Sequence, residues 1–229
     1  MMNEPAAFSR QAISETSVIP AVRGYLLSPA NPGAEALVLT HGAGGNTRSS
    51  LLAAVAESFV VAGFTVLCCE LPFRQERPYG PPRPSEAARD RAGLKNAVGL
   101  MRSMIAGRVF LGGHSYGGRQ ATMLCADEPG LVDGLLLLSY PLHPPRKPEQ
   151  LRTQHLPELQ VPSLFIHGTR DPFGSIAEMQ AALKLIPAKK DLVAVEGAGH
   201  DLGFKGKVRK EELPAQVLRE FSNLIRADP

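Results

Sequence analysis

Short apolar runs alternate along this chain with longer stretches in which apolar residues recur every three or four positions. Residues 36–40, 64–69, 108–111, 131–139 (with Leu135-Leu136-Leu137-Leu138 at its centre), 161–168 and 191–196 are the short runs. Their nearly continuous apolar character predicts strands covered on both faces. Between them, residues 49–62 place Leu51, Leu52, Val55, Phe59 and Ala62 on one helical face, with Gly63 as the stop. Ala87, Arg91, Leu94, Val98, Met101 and Ile105 step by three and four, which predicts a second amphipathic helix with Ser85 as its cap. Helices over 119–126 and 176–186, and a closing one carrying Val217, Leu218, Phe221, Leu224 and Ile225, complete the pattern.

The remaining segments fit between these elements. Residues 1–10 read as a loose lead-in, and 12–18 and 21–28 as two antiparallel strands joined near Pro20. Residues 71–84 are rich in Pro and Arg and read as too broken for regular structure, near the mouth of a site. Residues 140–148 read as an irregular loop, and 208–213 are left unassigned. Strands alternating with helices imply an α/β protein: a doubly wound, mostly parallel sheet with helices on both faces, forming one domain over residues 1–229. Only about twenty residues lie between the strand ending at Ser139 and the next one at Val161, so a large cap domain does not fit.

Composition narrows the function classes. Hydrophobic residues make up 44% and charged residues 21%, which argues against a disordered chain. A net charge of +3 is too weak to argue for nucleic acid or membrane binding. No apolar run is long enough to span a bilayer, and Met1-Met2-Asn3-Glu4-Pro5-Ala6 lacks the layout of a secretory signal, so a cytoplasmic location is expected. Cys68, Cys69 and Cys125 are odd in number, with two adjacent in an apolar run, and read as buried reduced thiols.

The chemistry centres on Gly112-Gly113-His114-Ser115-Tyr116-Gly117-Gly118, between a strand and a helix. Gly113-X-Ser115-X-Gly117 is the nucleophile-elbow pattern, in which a sharp strand-to-helix turn exposes a serine hydroxyl at the carboxyl edge of a sheet. The helix dipole points its positive end at the same place. His41-Gly42-Ala43-Gly44-Gly45-Asn46 follows a central strand and offers backbone N–H groups to an oxyanion. Ala43 is the expected first donor, with Gly44 as the alternative, and Tyr116 the second. Asp171, fixed by Pro172, and His200, at the tip of Gly197-Ala198-Gly199, each follow a strand. Ligands gather at such carboxyl ends.

Several other residues are weighed. Arg74, Arg77 and Arg83 either attract an anionic substrate or are solvated charge. Arg119, one helical turn after Ser115, either binds a substrate carboxylate or holds the elbow helix through a buried ion pair, the latter preferred. His41 reads as a structural hydrogen-bonder, His114 as pointing away from the hydroxyl and His167 as a core histidine. His143 and His155 read as surface residues near the mouth, and Asp201 and Glu196 as poor candidates for the acid.

The order Ser115, Asp171, His200 and the motifs His41-Gly42-Ala43-Gly44-Gly45, Gly113-His114-Ser115-Tyr116-Gly117-Gly118, Gly168-Thr169-Arg170-Asp171 and Gly199-His200 resemble the α/β-hydrolases over nearly the whole chain. Small, cap-less dienelactone-hydrolase-like enzymes are similar in size, with the difference that serine replaces cysteine at the elbow. The Leu-Pro-Phe-Arg and Gly-Gly-Arg stretches look closer to a branch that includes vertebrate testis-expressed proteins and a scaffold subunit of a histone-acetylation complex. The resemblance implies a serine hydrolase with Ser115 as nucleophile, His200 as base and Asp171 as its orienting acid. Ala43 and Tyr116 would hold the oxyanion, and Gly44, Arg74 and His143 would contact a small-molecule acyl substrate. The chemistry needs no metal or organic cofactor. A non-catalytic binding or scaffold protein on the same fold is the alternative.

Overall fold

The computed structural model describes residues 7–205 and 212–226. The unassigned stretch 208–213 lies mostly outside them. Eight strands form one sheet: β1 (Phe8–Glu15), β2 (Val22–Pro29), β3 (Ala36–Thr40), β4 (Thr65–Cys69), β5 (Val109–His114), β6 (Leu135–Leu138), β7 (Ser163–Gly168) and β8 (Lys190–Val195). Their order across the sheet is β1-β2-β4-β3-β5-β6-β7-β8. The pairs β1/β2 and β2/β4 are antiparallel, and every pair from β4/β3 to β7/β8 is parallel. The helices are α1 (Ser50–Val61), α2 (Pro72–Glu76), α3 (Ala87–Met104), α4 (Tyr116–Asp127), α5 (Ile176–Leu183) and α6 (Leu213–Ile225).

The two faces of the sheet are built by the period-two alternation of side chains along each strand. Val109, Leu111, Leu135 and Leu137 pack with Leu94, Val98, Met101, Leu124 and Met179 on the face covered by α3, α4 and α5. Phe110, Leu136 and Leu138 pack with Leu52, Val55, Phe59, Val217 and Phe221 under α1 and α6 on the other. Strands covered on both faces have no polar side to show, which is why β3, β5 and β6 read as continuous apolar runs. The expected doubly wound, mostly parallel sheet is the observed architecture. None of the described helices is long and apolar enough to cross a membrane.

Four sequence expectations are corrected. β1 starts at Phe8, inside the supposed lead-in, because pairing with β2 satisfies a polar edge strand whose own pattern is weak. Residues 71–84 do hold regular structure: α2 begins at Pro72, where a proline's missing N–H costs nothing at the first helical position, and Phe73 anchors it in the core. α3 buries Leu94, Val98 and Met101 as expected, but its first turn also buries Asp90, which the expected stripe did not include. α4 starts at Tyr116 rather than Arg119, because Gly117 and Gly118 lie inside the helix.

Candidate active site

All parallel strands end at one edge, so the loops after β3, β5, β7 and β8 converge there. Ser115 sits between β5 and α4 with φ 51° and ψ −115°, a conformation costing a non-glycine residue about 1–3 kcal/mol. The glycines around it make this turn sterically feasible. A Cβ on Gly113 would lie 2.7 Å from the Gly118 nitrogen, and one on Gly117 would lie 2.5 Å from the His41 carbonyl oxygen. Gly42 is less tightly constrained, but its Cβ would still meet His114 Nδ1 at 3.0 Å and the Ser115 Cβ at 3.2 Å. The glycine loop after β3 therefore lies against the serine.

Ser115, His200 and Asp171 form a hydrogen-bonded row. The Ser115 hydroxyl donates to His200 Nε2 at 2.8 Å, and His200 Nδ1 donates to Asp171 Oδ2 at 2.8 Å. The Asp171 side chain is wholly buried, and its other oxygen accepts from the Phe173 N–H at 2.9 Å. Phe173 lies 4.2 Å from the His200 ring at an interplanar angle of 31° and so limits its rotation. His114 Nε2 donates to the His200 carbonyl at 2.8 Å, and burial pushes its pKa down to about 4, which keeps the ring neutral for that role. His114 lines the same cavity as Ser115, with its ring 5.1 Å from that of His200. Its grip on the histidine loop was not anticipated, because residue spacing gives no sign of a contact 86 positions away.

The expected oxyanion donors also lie at this point. Ala43 and Tyr116 border the same space as Ser115, and the Tyr116 N–H heads α4, where no helical acceptor exists for it. Gly44 lines the cavity on the His200 side of the serine, where a Cβ would meet nothing. Tyr116 is tied down by its own side chain, whose hydroxyl donates to Asp90 Oδ2 at 2.7 Å, while Asp90 Oδ1 accepts from the Phe73 N–H at 3.0 Å. A carboxylate four residues before Leu94, on the face turned to the core, was the available signal for this contact.

Arg74 and His143 are corrected from the substrate contacts expected of them. Arg74 is only 6% exposed, and four of its N–H groups donate to the carbonyls of Gly45 (2.9 Å), Ala43 (2.8 Å), Arg77 (3.1 Å) and Gly80 (3.0 Å). It is a brace for the glycine loop. His143 is buried and donates from Nδ1 to the Pro144 carbonyl at 2.8 Å, with Glu178 at 3.6 Å from its other nitrogen, and it lines neither cavity beside the serine. Among the other arginines, Arg77 pairs with Glu86 at 2.6 Å. The ion pair preferred for Arg119 is not found among the described residues, and its Nε is buried without an acceptor.

The remaining residues sit mostly as their types suggest. His41 donates from Nδ1 to Gly42 and accepts at Nε2 from the Leu71 N–H. His167 donates to the Gly174 carbonyl at 2.8 Å in the core, and its Nδ1 has no partner. His155 is half-buried against Thr122 at 2.8 Å rather than on the surface. Asp201 accepts from the N–H groups of Gly203 and Lys205, away from the imidazole. The three cysteines are buried and free.

A central serine elbow on a mostly parallel sheet, with acid and histidine on later strands, defines a class of fold, and the comparisons agree with it. Residues 33–227 match the model of the α/β-hydrolase domain family, and the chain belongs to that family. Among solved structures, it is similar to the dienelactone hydrolase of Anabaena variabilis, with 21% identity, a TM-score of 0.74, and coverage of 96% of this chain and 100% of that one. Est1E of Butyrivibrio proteoclasticus is similar with 16% identity, a TM-score of 0.72 and coverage of 93% and 98%. XC6422 of Xanthomonas campestris, described as an α/β serine hydrolase without a lid, has 16% identity, a TM-score of 0.72 and coverage of 99% of both chains. At these identities the likeness concerns the fold.

Proposed function

We propose that the protein is a serine hydrolase that cleaves an ester, thioester or related acyl bond of a small molecule through an acyl-enzyme. The observation that carries this reading is the unbroken row Asp171–His200–Ser115, with both links at 2.8 Å. His200 Nε2 takes the hydroxyl proton as Ser115 Oγ attacks the acyl carbonyl carbon. Asp171 holds the Nδ1–H tautomer and stabilises the imidazolium. The N–H groups of Ala43 and Tyr116 receive the oxyanion, each such donor lowering the barrier by roughly 3 kcal/mol. His200 returns the proton to the leaving group, and water, deprotonated by the same imidazole, then releases the acid from Ser115. Both the nucleophile's strained turn and the closeness of Gly42 serve this chemistry, since they bring the hydroxyl and the glycine loop to one point.

A fluorophosphonate probe tests the reading. Labelling of the wild type, lost in Ser115→Ala, is the expected result, together with a fall of roughly a thousandfold or more in ester turnover. A folded wild type that takes no label and hydrolyses none of a panel of p-nitrophenyl esters would overturn it in favour of a binding protein.

A further inference from the structure

Two cavities open at Ser115, and they differ in charge and in access to the imidazole. The first, about 450 Å³, is lined by His200, His114 and the glycine loop, with Asp201 beside the cations Arg48 and Lys205. The second, about 490 Å³, lies on the Tyr116 side and is lined by Met123, Pro141, Arg119, Gln120 and Arg152, with Arg83 at its exposed rim. Phe173 and Ala43 border both. In the acyl-transfer reading above, the leaving group must reach His200 Nε2 to be protonated. It therefore occupies the first cavity, and the acyl chain occupies the second.

The second cavity has cations and no anion. No Asp or Glu is among its described lining residues. The acids nearby are engaged elsewhere: Asp90 with Tyr116 and Phe73, Glu86 with Arg77, and Asp127 with Arg91 at 3.7 Å. Arg152 makes one long bond, from Nη1 to the Pro141 carbonyl at 3.3 Å. Arg119 and Arg152 line the same cavity, and the Arg152 pKa is lowered by burial and then by repulsion from Arg119. Two side-chain donors in this wall are shut off from water and lack an acceptor: Arg119 Nε and Gln120 Nε2. The Gln120 side chain is fully buried, and its oxygen already accepts from Arg91 Nη1 at 3.2 Å, which fixes the amide with its nitrogen unpaired. Leaving buried donors unmade is destabilising, and like charges add to that. An anionic ligand is the species that relieves both.

We propose that this cavity is an acyl subsite for substrates whose acyl group ends in a carboxylate, held by Arg119 and Arg152. The apolar stretch of Met123, Pro141 and Phe173 accommodates the methylenes between the reacting carbonyl and the terminal charge. Arg119 lies four residues, about 6 Å of helical rise, beyond Ser115, and helical side chains lean toward the amino end, so a short chain such as glutaryl matches the span.

The test compares monoethyl glutarate with ethyl 5-methylhexanoate, its uncharged isostere, by ethanol release. The wild type should favour the anionic ester by about tenfold or more in kcat/KM. Arg119→Gln should bring that ratio toward one, mainly through KM, and Arg119→Lys should recover part of it. A wild-type ratio of one or below, or an Arg119→Gln variant that slows both esters equally, would overturn the proposal. Calorimetric titration of glutarate into Ser115→Ala, with and without Arg119→Gln, separates the two readings. Glutarate binding that weakens about tenfold or more with Arg119→Gln supports the subsite even if no ester is hydrolysed. Fluorophosphonate labelling without glutarate binding removes the subsite and leaves the hydrolase standing.

Discussion

Arg74 packs against the glycine loop and Arg119 lies on the elbow helix behind Ser115, and the same side chain does opposite things in the two places. On the glycine-loop side, the Arg74 guanidinium is sealed among four backbone carbonyls, two of which belong to the loop carrying the expected oxyanion donor. On the elbow-helix side, Arg119 has an orphaned Nε and shares a cavity wall with a second arginine, Arg152. One region is finished by the protein's own atoms, and the other leaves donors for a ligand. The difference teaches that a buried arginine near a reaction centre is read by counting its acceptors rather than by its distance to the nucleophile.

Breaking the finished side should give the larger effect. Arg74→Met removes a charged donor set and strands the carbonyls of Ala43 and Gly45. Hydrogen bonds to a charged group contribute about 1.5–3 kcal/mol each, so urea unfolding should show a loss of about 3 kcal/mol or more. The glycine loop would then lose its brace, and kcat should fall roughly a hundredfold for anionic and neutral esters alike. Arg119→Gln, by contrast, should act on the ratio between those esters. If Arg74→Met instead changes that ratio and leaves stability intact, the contrast between the two regions is wrong.

Why the sequence could not tell these arginines apart is a matter of what patterns encode. Strand runs, helical faces and the elbow are local, so the alternation of elements made the parallel sheet legible, and Gly113-X-Ser115-X-Gly117 marked the turn that the glycine contacts require. The chain order of Ser115, Asp171 and His200 was legible for the same reason, since each follows its own strand. Partners brought together by tertiary packing were not. Arg74 reads as an exposed charge because it lies in a Pro-rich and Arg-rich stretch, and only the docking of α2 under the loop reveals its acceptors. Arg152 and Gln120 carry no motif, and they matter only because α4 and residues 141–152 enclose one space. The apolar stripe of α3 was legible at Leu94, Val98 and Met101 but gave no sign of buried Asp90 and its bond to Tyr116.

That bond gives a smaller test, on the boundary between the two regions. Tyr116 supplies a backbone N–H to the expected oxyanion site, and its ring ends in a hydroxyl bonded to buried Asp90. Tyr116→Phe keeps the N–H and leaves Asp90 Oδ2 without its donor. Burial already raises the Asp90 pKa, and the Tyr116 hydrogen bond is the largest influence holding it down, so the substitution should raise it further. Stability measured by urea unfolding near neutral pH should drop by about 1–2 kcal/mol. Turnover should change less than in Arg74→Met, because the reacting groups keep their places. An equal loss of turnover would mean that the hydroxyl, rather than the loop brace, sets the oxyanion geometry.

The last effect is a proton count on the finished side, small at any one pH step. His41 lies beneath the glycine loop, fully buried, and its pKa is pushed down to about 4, chiefly by burial, with the charge of Arg74 adding to it. It is neutral in the folded protein and donates to Gly42 while accepting from Leu71. In the unfolded chain the same ring titrates near 6.5. Between about pH 6.5 and 4 the unfolded state therefore holds a proton that the folded state lacks, so stability is present above the unfolded value and is lost as pH falls. The slope from this one ring is about 1.4 kcal/mol per pH unit. Urea unfolding at a series of pH values through this window should show His41→Asn flattening the dependence by one proton's worth, on top of a pH-independent loss from the altered bonds. His155, near Arg119, is likewise pushed down to about 4, so His155→Gln should also flatten the curve. If His41→Asn leaves the slope unchanged, the ring is already charged beside Arg74, and the glycine-loop side is not as fully satisfied as its carbonyl bonds indicate.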